Sequence, residues 1–242
     1  MRLLCLAHAG AGPSAFRHWP DAAPPGLTIG ALSLPGREAR FAEPSARELA
    51  PLLDDLASQA ATQLRPAKTG PTEPYALLGH SMGALLAFEL AGRLQAAGAP
   101  GPRRLFVSAF RAPHLNDRYA PLHALPDRLL MAELRRLQGT PPEVLAQPEL
   151  MRTLLPSLRA DLSLVEDYRY RPRPPLDCPV SCLAGVTDER VTRLELGAWR
   201  RHTAAEFRLR LFPGGHFYLY RTPALVLRSV AADLAAHARC DA

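Results

Sequence analysis

The chain has 242 residues, 48% hydrophobic and 21% charged, which suits one large α/β core or at most two small ones. No apolar run is long enough to cross a bilayer as a helix, and the short apolar N-terminus runs straight into His8 and a glycine cluster, so it reads as a strand rather than a secretion signal. The formal net charge of +6 is nearly all arginine, Lys68 being the sole lysine; this suits an acidic protein partner, and no nucleic-acid motif accompanies it.

Short apolar runs alternate with helical stretches, the pattern of a mostly parallel sheet flanked by helices. The first strand is expected over residues 3–7, followed by the small-residue loop His8-Ala9-Gly10-Ala11-Gly12. A second strand is expected over 27–34, running into Leu34-Pro35-Gly36-Arg37-Glu38-Ala39-Arg40. Ser45-Ala46-Arg47-Glu48 has the spacing of a capping box opening a helix through residue 64. A strand over 75–79, a tight turn and a helix over 82–97 follow, with Gly98 placed to end the helix. After a strand over 105–108 the alternation breaks. Residues from about 112 to 175 show helical periodicity but no strand: Asp127 reads as a cap for a helix over 128–138 that Gly139 stops, and further helices are expected over 143–155 and 156–168. A helical insertion here is expected to be a lid over the carboxyl ends of the strands, where ligands bind in open α/β sheets. Strands over 180–184 and 207–212 and a helix over 223–237 close the chain.

Gly79-His80-Ser81-Met82-Gly83 is a G-x-S-x-G pentapeptide between an expected strand and an expected helix. That is the setting of a nucleophile elbow, and it makes Ser81 the candidate nucleophile. A serine hydroxyl needs a base. Phe212-Pro213-Gly214-Gly215-His216 supplies His216 on a glycine loop after the last expected strand. His80 and His8 have weaker claims, and the other five histidines read as solvated or packing groups. The third member should lie between serine and histidine in chain order. Asp188 follows the strand over 180–184 and would orient the imidazole. Its neighbour Glu189 is the rival, whereas Asp161, inside the expected lid, reads as a helix-surface charge. The backbone N–H of Met82 and that of Ala9 are the expected oxyanion donors. Neither G-x-G-x-x-G nor P-loop spacing is present, so the first loop is not read as a phosphate site, and no cofactor is expected. Cys5, Cys178, Cys182 and Cys240 contain no C-x-x-C pair. They suggest neither a disulfide framework nor a zinc site, and fit reduced thiols in a cytoplasmic protein.

Together these residues resemble the discrete type II thioesterases of polyketide and nonribosomal peptide pathways, within the α/β-hydrolase fold. The resemblance runs nearly end to end. It covers the first glycine loop with Phe16 and Trp19, the segment Leu34 to Arg40, the elbow, Leu154 to Asp161 with Tyr168 and Tyr170, and Phe212 to Tyr218. Glu189 stands where such enzymes usually carry proline, and Ala11 separates two glycines that are often adjacent. The resemblance implies a single hydrolase domain over 1–242. It also implies hydrolysis of acyl thioesters from the phosphopantetheine arm of carrier proteins, clearing aberrant or stalled groups. An esterase or lipase acting on small oxygen esters shares the same triad and is the first alternative; a hydrolase-fold binding protein without catalysis is the second, and the intact triad argues against it. Arg37 and Arg40 are candidates for docking an acidic carrier, or else internal salt-bridge partners.

Overall fold

The computed structural model describes residues 1–65, 73–115 and 120–238. Lys68 and Cys240 lie outside them. Six strands, β1 (Arg2–Leu6), β2 (Thr28–Ala31), β3 (Tyr75–His80), β4 (Leu105–Ser108), β5 (Val180–Gly185) and β6 (Phe207–Phe212), form one sheet in the order β2-β1-β3-β4-β5-β6. Every neighbouring pair is parallel. The helices are α1 (Trp19–Ala22), α2 (Leu49–Gln63), α3 (Met82–Ala96), α4 (Asp127–Leu137), α5 (Pro142–Leu145), α6 (Pro148–Glu166), α7 (Arg193–Gly197), α8 (Tyr218–Arg221) and α9 (Pro223–Ala238).

The period of two along each strand separates two cores. Leu4, Leu6 and Leu77 point to the face covered by α2 and α3, with Leu56 and Phe88. Leu3, Cys5, Ala76 and Leu78 point to the other face, with Trp19 of α1 and Val226 and Val230 of α9. Both faces of β3 and β5 are therefore buried, which is why those strands read as unbroken apolar runs. Strand order reverses between β1 and β3. A crevice must open at their carboxyl ends, because the chain leaves those two strands in opposite directions. The loop after β1 and the turn after β3 meet there.

All six expected strands are present, although β2 is shorter than expected. Between β4 and β5 the described residues form helices and no strand. Leu130 and Leu134 of α4 meet Leu145 of α5 and Met151, Leu155 and Leu158 of α6 in a separate small core. Three helix boundaries correct the expectations. Helix α2 begins at Leu49 with Glu48 as its cap residue and no side-chain cap, so the Ser45 capping box does not form. Pro126, not Asp127, caps α4; Asp127 lies in the first turn, where its carboxylate takes Arg159 at 2.5 Å. Helix α6 runs straight through Pro156, where two helices had been expected. Proline removes one N–H from a helix interior, but apolar packing on both sides of Pro156 keeps the helix continuous. Among the described residues no helix is long and apolar enough to cross a membrane.

Candidate active site

The turn after β3 is held in a conformation that side chains rarely adopt. Ser81 has φ 54° and ψ −118°, and its N–H donates to Ser108 O of β4 at 2.8 Å. Such backbone costs of order 1–3 kcal/mol and persists only where surrounding packing enforces it. The flanking glycines permit the close fit. A Cβ on Gly79 would lie 1.9 Å from Gly83 O, and one on Gly83 would lie 2.2 Å from Leu6 O. The result projects Ser81 from the end of β3 with the N-terminus of α3 behind it, where free N–H groups favour negative charge.

His216 and Asp188 are brought together by two loops at the neighbouring strand ends. Val186 N–H donates to Phe212 O at 2.9 Å and Thr187 N–H to Gly214 O at 3.0 Å, so the loops after β5 and β6 lie side by side. Gly185 makes this approach possible, since a Cβ there would lie 2.3 Å from Gly214 O. The Asp188 carboxylate is wholly buried; its Oδ2 lies 2.9 Å from His216 Nδ1 and its Oδ1 accepts the Arg190 N–H at 2.8 Å. Glu189 points outward, 84% exposed, with Arg136 at 3.5 Å. The geometry thus pairs His216 with Asp188 and leaves the rival in solvent.

Two further histidines pack beside His216. Its ring centroid lies 5.2 Å from that of His80, and His8 lies 5.9 Å from His80. His80 Nδ1 is 3.0 Å from Ser108 Oγ, which is 2.8 Å from Tyr218 Oη; His8 Nδ1 is 3.0 Å from Tyr220 Oη. Burial, then the nearby charges of His216 and Arg37, push the His8 imidazole down to about 3. Burial, then the nearby charges of His216 and His8, hold His80 well below the usual histidine range. Both are therefore neutral packing groups at pH 7, and Nε2 of His80 is buried without a partner among the described residues.

Of the loop amides from Ala9 to Ala11, two are engaged within the protein. Gly10 N–H donates to Asp161 Oδ2 at 2.7 Å and Ala11 N–H to His8 O at 3.1 Å. Ala9, Met82, Ser81 and His216 all line a cavity of about 630 Å³. Leu134 and Leu137 of α4 and Leu154, Leu158 and Leu162 of α6 line it as well. Among the described residues no group of three or more His, Cys, Asp or Glu side chains is gathered for a metal ion.

One sequence expectation is corrected here, and two alternatives left open for Arg37 and Arg40 are narrowed. Asp161 is not a helix-surface charge: it is 1% exposed and binds Arg37 through both oxygens, at 2.6 Å each. Arg37 is itself only 6% exposed, a buried salt-bridge partner, while Arg40, partly exposed, is paired with Glu43 and Asp55. No local pattern could have shown this, because Arg37 and Asp161 lie 124 residues apart.

A strained serine at a strand–helix turn and a histidine–carboxylate pair, lining one cavity, are the arrangement of an α/β-hydrolase site. The thioesterase-domain family model matches residues 1–234. The gramicidin S biosynthesis protein GrsT of Aneurinibacillus migulanus is 39% identical over 222 residues, spanning 92% of this chain and 84% of its own. RedJ, the thioesterase of the prodiginine pathway of Streptomyces coelicolor, superposes with a TM-score of 0.85 at 38% identity, covering 97% of this chain and 89% of its own. The type II thioesterase BorB of the borrelidin cluster does so at 0.84 and 39%, covering 96% and 92%. The chain belongs to the thioesterase family and is a hydrolase of that class.

Proposed function

We propose that this thioesterase is a discrete editing enzyme of the type II class. It releases acyl groups from the phosphopantetheine arm of carrier proteins and so clears aberrant or stalled intermediates from polyketide or nonribosomal peptide assembly lines. The observation that carries this reading is an apolar cavity of about 630 Å³ shared by Ser81, His216 and the helical insertion, within a chain of this family. An acyl chain needs apolar walls, while its thioester must reach Ser81. We take residues 112–175 as the lid of a single domain spanning 1–242. Its place is the cytoplasm, in keeping with the free thiols of Cys5, Cys178 and Cys182.

In this mechanism Ser81 Oγ attacks the thioester carbonyl while His216 takes its proton. Asp188, at 2.9 Å from Nδ1, holds the imidazole in the tautomer that leaves Nε2 free to act as base, and then stabilises the imidazolium. The oxyanion of the tetrahedral intermediate sits on the N–H groups of Met82 and Ala9. The intermediate collapses to an acyl-serine, and the carrier thiol leaves with the proton from His216. Water deprotonated by His216 then attacks the acyl-serine, releasing the carboxylic acid and regenerating Ser81. The test compares kcat/KM for an acyl-carrier protein with that for an oxygen ester of the same acyl group. The carrier thioester should be preferred at least tenfold; equal or better use of the oxygen ester would favour a general esterase.

A further inference from the structure

We propose that the buried Arg37–Asp161 ion pair is a positioning element for the oxyanion hole, anchoring the loop that carries the Ala9 N–H to the lid helix α6. The proposal deepens the reading above and rests on its assignment of Ser81 and Ala9.

The geometry is specific to the loop. Asp161 Oδ1 accepts Arg37 Nη2 at 2.6 Å, while Oδ2 accepts both Arg37 Nη1 at 2.6 Å and the Gly10 N–H at 2.7 Å. Arg37 Nη1 also donates to Ala11 O at 3.1 Å. One ion pair thus grips the peptide group before Gly10 by its N–H and the one after Ala11 by its carbonyl. Gly10 has φ +80°, and Leu158 Cδ1 of α6 lies 3.0 Å from where its Cβ would be. Glycine is the residue most free to leave such a conformation, so an external hold is what keeps it there. With Gly10 N–H committed to Asp161, it cannot turn toward substrate. The adjacent Ala9, which lines the cavity, is left to supply the loop's donor.

Stability alone does not account for the pair. A buried ion pair loses much of its attraction to desolvation, and apolar replacements are often as stable. Arg37 Nε is moreover buried without a partner among the described residues, a cost that a purely stabilising contact would not carry. What the pair supplies that apolar side chains cannot is a fixed acceptor for Gly10 and a fixed donor for Ala11. Because Asp161 sits on α6, the donor is in register only while that helix is seated.

The test removes the pair as a unit. Arg37→Met/Asp161→Leu leaves no lone buried charge, whereas Arg37→Met/Asp161→Asn is equally neutral but keeps an acceptor for the Gly10 N–H. Each folded variant is assayed on acyl-carrier protein. Its affinity is then measured for an unreactive acyl thioether and for a trifluoromethyl ketone of the same chain, which forms a tetrahedral adduct with Ser81. The Leu variant should lose about 10- to 100-fold in kcat, less than the 10²–10³ of deleting a donor outright. KM and thioether affinity should stay unchanged, and ketone affinity should fall in proportion to kcat/KM. The Asn variant should recover most of that loss. Arg37→Lys, which cannot hold both carboxylate oxygens, keeps the test open if the double variants do not fold; about a tenfold fall in kcat at constant KM is expected. Wild-type kcat in Arg37→Lys, equal loss of thioether and ketone affinity, or no difference between the Leu and Asn variants overturns the proposal. If Ser81→Ala binds the ketone as tightly as wild type, the assignment of Ser81 itself fails and takes this proposal with it.

Discussion

Strands β5 and β6 carry a buried aspartate cluster at each end, and the two clusters have opposite characters. Near the strand starts, Asp233 of α9 is buried against Arg208 and Arg210 of β6 and Ser181 of β5. At the carboxyl ends, Asp188 is equally buried but faces His216 and a backbone N–H. Burial works to raise the Asp233 carboxyl, yet hydrogen bonds from Arg210, Arg208 and Ser181 outweigh it and hold the group below the usual carboxylate range. Guanidinium does not give up its proton near neutral pH, so the Asp233 cluster is a fixed ionic clasp between α9 and the sheet. Imidazole, unlike guanidinium, can act as a base, the part the proposed mechanism gives to the Asp188 cluster. Residue type and burial are the same; the partner decides the role.

The largest effect should come from breaking the end proposed to be catalytic. Ser81→Ala should fold normally and lose thioester hydrolysis by roughly 10⁴-fold or more, as removal of nucleophiles does in other triads; even a tenth of the wild-type rate would refute its role. Asp188→Asn should lower kcat by about 10⁴, whereas Glu189→Gln, exposed and turned to Arg136, should stay within about twofold. The reverse ranking would show that the wrong acid has been assigned.

Breaking the other end should separate stability from activity. Asp233→Asn leaves two arginines facing a neutral amide. It should cost about 2–3 kcal/mol, below the range for wholly buried pairs because the guanidinium groups keep contact with solvent. Urea unfolding would measure the loss, with kcat per folded molecule unchanged; a matching fall in kcat would erase the distinction between the two clusters.

A gentler probe is pH. Burial holds His8 at about 3 and, with the charges of His114, Arg173 and Arg201, His202 at about 4, while His80 also lies well below its usual value. The unfolded chain binds those protons near pH 6.5, so below that pH it takes up protons that the folded chain refuses. The stability these histidines contribute is complete above about pH 6.5 and is lost as pH falls toward about 4 for His202 and about 3 for His8. The urea midpoint should therefore be level from pH 7 to 8 and decline steadily from 6.5 to 5. A midpoint that rises on acidification would contradict the burial of these rings.

The sheet was legible because its signals are local. Apolar runs such as Tyr75 to Leu78, the glycines around Ser81 and the Gly214-Gly215 loop before His216 each mark one strand end, and strand order then brings the ends together. Asp188 was legible by its place after β5, and the structure supplied what sequence could not, the outward turn of Glu189. The insertion was harder. Its helical character could be read, but not the passage of α6 through Pro156, where packing against α4 and α5 overrides local propensity. Arg37 and Asp161 were hardest of all. Their pairing depends on the fold bringing the loop after β2 beneath α6, and charge in the sequence suggested a surface that burial rules out.

The most direct test of the central claim is intact-mass spectrometry of an acyl-phosphopantetheinyl carrier protein after incubation with wild-type enzyme or Ser81→Ala. With wild type the carrier should lose only the acyl mass and keep its phosphopantetheine arm, while with Ser81→Ala it should remain acylated. Deacylation by Ser81→Ala at the wild-type rate, or a carrier left acylated by wild-type enzyme that hydrolyses oxygen esters, would contradict the account.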